Sequence, residues 1–438
     1  MREGADVHRI CLSLPTDREC SATITAIGGE ASYAARHFDV EVHLLILDSS
    51  DERTREAHAR TVAALPEAAG VVVHHLDESA QRDFLRGAVE RAALAEPERI
   101  LDLMLPDALS YGACTNRAFL VAAALDCRSV HRRDSDCSYQ VFDGEPVYPV
   151  HHELTSLGKR ARDAFAGVSE VALDPALADR PVSMVGASFI GELSVDIGGI
   201  RELDKEVYDE VVALWAPGHW SAEQKRELVE ESFKGAGTLP FAGDRSTLTL
   251  VDPMRVDMSN IAFDRHVYER LPLPPATATI GSDYFLIHAV YDAALPGVLH
   301  NRHIENYYTG ERRTHAGFLA YQTRFVKFLL SMLYLHYVYE RMADAGAALL
   351  DESGRLDPAP FAAFLAESVR LDRTENERRL DTVAAAYGRL GGRYAEFARG
   401  MTADRERLLD EAALDTEDFV ALIGAWEALV HACRGALR

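Results

Sequence analysis

The triplet Asp134-Ser135-Asp136 is the feature of this chain whose residue types and spacing point most directly to chemistry. Two carboxylates two residues apart on an extended segment project to the same side. They can share a hard cation such as Mg²⁺ or Mn²⁺, whose remaining positions go to phosphate oxygens. A cation held there stabilises charge that builds on a departing diphosphate. A D-x-D triplet is also ordinary in a solvated surface turn, so its meaning depends on its surroundings. Several polar groups share the chain with it. Upstream are Pro15-Thr16-Asp17-Arg18, Asp48-Ser49-Ser50-Asp51 and Gly112-Ala113-Cys114-Thr115-Asn116-Arg117. Downstream are Asn260, Arg265, Gly281-Ser282-Asp283-Tyr284, and His300, Arg302 and His303 ahead of Tyr307, Tyr308, Arg312 and Arg313.

The elements that must position these groups alternate. Ile10–Leu14, Val42–Leu47 and Val71–His75 read as strands, and Ser21–His37, Asp51–Leu65 and Ser79–Ala95 as helices. Short strands alternating with helices predict a mostly parallel sheet with covering helices. In such sheets ligands lie at the carboxyl ends of the strands. The first two polar clusters sit there. A helix over Ala118–Leu125 and a strand near Arg128–Arg132 then deliver the acidic triplet. Further on, Val182–Val195 and Ser246–Val251 read as strand, Glu202–Trp215 and Ser221–Phe233 as helix. From about Thr314 the chain is helical, with turns near Gly354, Gly391 and Thr416.

With 438 residues the chain is too long for one small domain. Its net charge of −23 repels polyanions, which argues against a nucleic-acid partner but leaves room for a small nucleotide with a cation. Six cysteines with no C-x-x-C pair indicate neither a disulfide framework nor a zinc site, and Cys127 and Cys137 read as small buried hydrophobes. The start, Met1–Asp6, lacks the apolar core of a secretion signal. The apolar run Phe318–Met342 contains Arg324, Lys327 and His336, so a helix buried in a core or a subunit contact is expected rather than a membrane span. A cytoplasmic protein is expected.

Taken in order, these motifs resemble the GT-A glycosyltransferases, especially their family 2-like group, over roughly residues 8–310. Leu47-Asp48-Ser49-Ser50-Asp51-Glu52-Arg53-Thr54 looks like the strand-end "VDDGSxDxT" segment, and Asp134-Ser135-Asp136 like the DxD motif. Gly112–Arg117 resembles "GxxxxRN" with its last two residues inverted, which leaves open whether Asn116 or Arg117 faces the donor. Val256–Arg265 resembles "GGNxAxRR", with Met258-Ser259 replacing the glycines. Gly281–Phe285 resembles "GEDxxL", with serine in place of the glutamate. The fold so implied is α/β, a GT-A-like mixed, mostly parallel sheet flanked by helices, with an added C-terminal helical region. Residues 8–156 form the nucleotide-binding half, 157–313 the acceptor or catalytic half, and 314–438 the helical region.

The resemblance implies a nucleoside-diphosphate sugar, UDP- or GDP-linked, as donor, and a divalent cation (Mn²⁺ or Mg²⁺) as cofactor. Pro15, Thr16, Arg18, Asp48, Asn116, Arg117, Asp134, Ser135 and Asp136 serve the donor. Asp136 and Asp134 hold the metal, with His300 or His303 as a third ligand. Asn260, Arg265 and Tyr284 serve the sugar or acceptor, and Asp283 is the general base. Each residue also has a structural reading: Asp48 as a turn and helix cap, Asn260 as a cap, Asp283 as a first-turn acid, each histidine as a hydrogen-bonded core residue. Trp215, His219 and Trp220 read as an aromatic wall or as core. The helical region either shapes the acceptor pocket or forms a homodimer contact. The activity implied is hexosyl transfer to a small-molecule acceptor, O-, N- or S-linked. The alanine- and arginine-rich usage resembles high-GC bacterial proteins, in which such enzymes act in specialised metabolism. The alternative is a sugar-nucleotide-binding or nucleotidyltransferase-like protein. The turn Leu14–Glu19 lacks the glycines of a triphosphate loop.

Overall fold

Strands Arg9–Thr16, Glu41–Asp48 and Val71–Asp77 lie parallel and in register, so that Thr16, Asp48 and Asp77 end level with one another. Consecutive strand residues point to opposite faces. Ile10, Leu12, Leu14, Val42, Leu44 and Ile46 therefore meet Ile24, Ile27, Ala31 and Ala34 of helix Ser21–His37. Cys11, Leu45 and Leu47 face the other way, into the core that holds Leu85, Leu101 and Phe119. An unbroken apolar run is what a strand covered on both sides requires. The computed structural model describes residues 7–193, 195 and 197–437, with backbone alone at 311 and 312. The Met1–Asp6 start and the Arg312 side chain lie outside the described residues.

One nine-stranded sheet runs Val71–Asp77, Glu41–Asp48, Arg9–Thr16, Ser129–Arg133, Asn260–Asp264, Met184–Gly186, Gly297–His300, Ser246–Thr249, Glu170–Val171. Five of its eight pairings are parallel. The expected mixed, mostly parallel sheet flanked by helices is thus present. It is continuous across residue 156, because Ser129–Arg133 pairs antiparallel with Asn260–Asp264. A small sheet joins Cys137–Tyr139, Ile304–Asn306 and Phe189–Gly191. It ties the segment after the acidic triplet to the late part of the chain.

Five long helices form the C-terminal region: His315–Ala345, Pro358–Ser368, Thr374–Leu390, Gly392–Ala403 and Arg405–Cys433. Gly391 breaks the chain as expected, at φ +72°. The turn expected near Thr416 is absent: the Thr416 hydroxyl donates to the Ala412 carbonyl one turn back, and the helix continues. The apolar run Phe318–Met342 is core. Its Lys327, 3% exposed, is neutralised by Glu411 at 3.2 Å and Asp415 at 3.3 Å on the last helix. Fully buried Trp426 donates from Nε1 to the Tyr268 carbonyl at 3.0 Å. Among the described residues no helix is long and apolar enough to cross a membrane.

Helix Tyr111–Ala124 carries one arginine of the site, and its docking is set by backbone contact. Ser110 caps it through Ala113 N–H. Asn116 donates to Leu273 O and accepts from Leu273 N–H, both at 2.8 Å. A Cβ on Gly112 would lie 1.9 Å from the Pro274 carbonyl oxygen, so only glycine permits this approach. Gly112→Ala is expected to cost about 1–3 kcal/mol or more, since the obstacle is backbone that no rotamer change relieves. Chemical denaturation of the variant against the parent measures it.

Candidate active site

A cavity of about 380 Å³ opens at the carboxyl ends of the central parallel strands. Pro15, Thr16, Arg18, Arg117, Asp134, Ser135, Asp136, Asp283 and Tyr284 all line it. Residues separated by more than 260 positions are brought together by two elements: the strand that ends before the triplet and the turn that begins the helix Phe285–Asp292.

Arg132 organises the polar wall. It precedes Asp134 by two positions, so strand parity sends both side chains to the same side. Its guanidinium is 3% exposed and reaches Asp283 Oδ2 at 2.6 Å and Asp134 Oδ1 at 3.0 Å. Burial works against its charge, but Asp134 and Asp283 outweigh that and hold it above the ordinary arginine value. Burial, with Asp136, Asp257 and Asp283 nearby, pushes the Asp134 acid up to about 6 despite Arg132. The other oxygen of Asp283 has no hydrogen-bond partner among the described residues. Arg18 Nη1 lies 3.5 Å from Asp136 Oδ2 and 3.4 Å from Thr309 Oγ1. Tyr284 donates its hydroxyl proton to Asp257 Oδ2 at 2.6 Å.

Arg117 differs from the other two arginines. It donates from Nη1 to the Met104 carbonyl at 2.7 Å, its Nε is buried without a partner, and among the described residues no carboxylate pairs with it. Burial pushes its guanidinium below the ordinary value. The Glu78 carboxylate, also on the cavity wall, offsets that burial only in part, and a buried guanidinium that no carboxylate contacts suits an anion. Of the inverted pair Asn116-Arg117, Arg117 lines the cavity, while Asn116 is fully buried against Leu273.

Five more of the expected residues do not line the cavity, each for a visible reason. Asp48 is fully buried behind it. Burial would raise its acid, but hydrogen bonds from His75, Ser50 and His58 hold it well below the carboxylate range. The ligand atoms of Asp48, His58 and His75 lie within 4.8 Å of one another, the spacing of a metal site. His58 Nε2, however, accepts the Cys20 N–H at 3.0 Å, so its proton sits on Nδ1 and points at Asp48. That tautomer makes the trio a hydrogen-bonded strut beneath the cavity floor. Asn260 donates to Ser188 O and Arg302 O, tying three segments together. Arg265 donates to the carbonyls of Asp126 and Cys127. His303 Nδ1 accepts the Ser188 N–H, and His300 stacks on His152 at 5.2 Å, with burial keeping its ring neutral. Neither histidine provides a third ligand to the triplet in this geometry.

Sequence reasoning passed over Arg132 and Asp257. The parity argument already made for Asp134 and Asp136 extends back one step to Arg132. Asp257 lies inside the Val256–Arg265 segment, three positions ahead of Asn260. Trp215 does line the cavity, together with Phe233 and Phe328, whereas His219 and Trp220 do not.

Fold and site together define an α/β protein with an acidic, arginine-studded pocket at its strand ends. The chain belongs to the family DUF6271, a family of unknown function, which it matches over residues 8–437. No curated protein sequence matches it. Three solved structures show a partial likeness of fold. Glucosyl-3-phosphoglycerate synthase from Mycobacterium tuberculosis, in complex with UDP, is 17% identical, with 74% of this chain and 80% of that chain covered and a TM-score of 0.33. The mannosyltransferase PcManGT from Pyrobaculum calidifontis, in complex with GDP-Man and Mn²⁺, is 14% identical over 95% and 91%, at 0.33. TarS 1–349 of S. aureus is 13% identical over 94% and 89%, at 0.37. At such scores the superpositions are partial, and the reading of the site rests on this chain's own residues.

Arg132→Met leaves Asp134 and Asp283 without their shared counter-ion. A loss of about 3–5 kcal/mol in unfolding free energy is expected, read by urea denaturation.

Proposed function

We propose that this protein transfers a hexosyl group from a nucleoside-diphosphate sugar to a small-molecule acceptor. The observation that carries the reading is the meeting, in one cavity, of Arg117, which no carboxylate contacts, the Asp134/Asp136 pair and Asp283 with one oxygen unengaged. Arg117 and Arg18 suit a diphosphate, because guanidinium groups bind its oxygens in a fixed fork. Asp136 and Asp134 would hold a divalent cation, Mn²⁺ or Mg²⁺. The donor chemistry fits: both are hard oxygen ligands on the wall of one cavity. A bound cation would supply positive charge beside the diphosphate as it leaves.

Asp283 serves as general base. Arg132 fixes one of its oxygens at 2.6 Å and thereby orients the other. In the transfer, the acceptor heteroatom forms a bond to the anomeric carbon, and its proton passes to Asp283. The bond from that carbon to the diphosphate oxygen breaks, and its electron pair leaves with the diphosphate. Direct displacement of this kind inverts the anomeric centre. Tyr284 is held by Asp257, which fixes the turn that presents Asp283.

UDP or GDP is expected to raise the melting temperature, and to raise it further with Mn²⁺. Asp136→Asn removes the Mn²⁺-dependent part. Arg117→Met weakens nucleotide binding about ten- to a hundredfold, the worth of one charged hydrogen-bonding partner. Stabilisation by neither nucleotide overturns the reading. Nucleotide-sugar binding with no hydrolysis or transfer leaves a sugar-nucleotide-binding protein instead.

A further inference from the structure

Away from the carboxylates the cavity wall becomes aromatic. The Trp215 and Phe233 rings stack with centroids 5.1 Å apart, and Phe328 meets Trp215 edge-on at 5.5 Å. All three line the cavity. This wall abuts the reacting end. Gly281, at φ +72°, opens the turn that carries Asp283, and a Cβ there would lie 2.9 Å from the Phe328 ring. Tyr339, from the same long helix as Phe328, stacks on His288 at 3.9 Å and 15°. His288 also lines the cavity, and neither of its ring nitrogens has a hydrogen-bond partner among the described residues. Burial pushes this imidazole down to about 4, so at neutral pH it is uncharged and offers a lone pair.

The charges around this wall argue against an anionic occupant. Arg132 is engaged with Asp134 and Asp283, and Arg18 and Arg117 are the groups assigned to the donor diphosphate, which leaves no arginine for a second anion. Glu231 and Asp257 also line the cavity and repel negative charge. An aromatic surface with one neutral hydrogen-bond acceptor selects an apolar body bearing a donor group.

We propose that the acceptor is an uncharged small molecule with an aromatic or compact aliphatic body, seated on Trp215, Phe233 and Phe328, with His288 accepting a hydrogen bond from one of its O–H or N–H groups. The proposal rests on the cavity being the glycosyl-transfer site. His288 acts here as a positioning residue.

The test is calorimetric titration of the full chain with 2-naphthol, naphthalene and 2-naphthoate. 2-Naphthol is expected to bind at least tenfold more tightly than 2-naphthoate. Phe233→Leu weakens 2-naphthol at least fivefold. His288→Phe keeps the stack on Tyr339 but abolishes the preference for 2-naphthol over naphthalene. Tighter binding of 2-naphthoate than of 2-naphthol by the unmodified chain, or unchanged affinities in both variants, overturns the proposal. The same preparation is titrated with UDP and GDP. Binding of nucleotide and 2-naphthol together supports an acceptor subsite beside a donor subsite, and mutual exclusion overturns it. If 2-naphthol binds as expected and neither nucleotide does, the glycosyl-transfer reading fails and the acceptor role with it. If a nucleotide binds and 2-naphthol does not, the acceptor class alone fails.

Discussion

Two adjacent arginines end the strand Ser129–Arg133, and because consecutive strand residues face opposite ways they drive one guanidinium into each side of the sheet. Arg132 goes to the cavity and Arg133 to the opposite layer, both almost fully buried. Arg133 is met by Glu30 at 2.8 Å and Glu153 at 2.9 Å, and Tyr139 and Val150 N–H complete the shell of Glu30. Buried charges are tolerated only when paired and hydrogen-bonded, and a lone survivor is costly. The two arginines therefore dictate where four other segments can lie: the first helix through Glu30, helix Val150–Ser156 through Glu153, the acidic triplet through Asp134, and the late turn through Asp283.

The same arrangement sets the field inside the cavity. Arg132 is one positive charge shared between two carboxylates, with Asp136 and Asp257 close by. The local excess of negative charge matches the net charge of the whole chain, so a polyphosphate approaching alone meets repulsion everywhere except near Arg117 and Arg18. The elevated acid of Asp134 and the lowered guanidinium of Arg117 share one main cause, burial of a charged group at the cavity wall.

What was legible in the sequence follows from this geometry. Alternating apolar runs announced the sheet and its helices, and the order of polar clusters at strand ends announced the cavity, because both depend on local periodicity. The direction of a polar side chain at a strand end is not local. Asn116, Asn260 and Arg265 have the residue types of ligand contacts, yet each satisfies backbone groups of a distant segment that only the packed chain brings near. His300 and His303 followed the right segment but the wrong face. The turn expected at Thr416 failed for a smaller reason: a threonine can bond back to its own helix and need not end it.

The aromatic wall was the least legible part, and its origin explains why. The carboxylate end of the cavity is built by the tips of sheet strands, where sequence order and spatial order run together. Trp215 and Phe233 come from a segment outside the nine-stranded sheet, and Phe328 and Tyr339 from a helix that begins beyond residue 313. In the sequence these aromatics are indistinguishable from core. What distinguishes them is that Gly281 lets the turn of Asp283 settle onto Phe328, so that side chains which elsewhere would only fill space here form the far wall of a polar cavity. The helix carrying Phe328 is itself locked to the last helix by the buried Lys327 pairs. The C-terminal region is therefore a structural component of the cavity, where Phe328 and Tyr339 complete the wall that Trp215 and Phe233 begin.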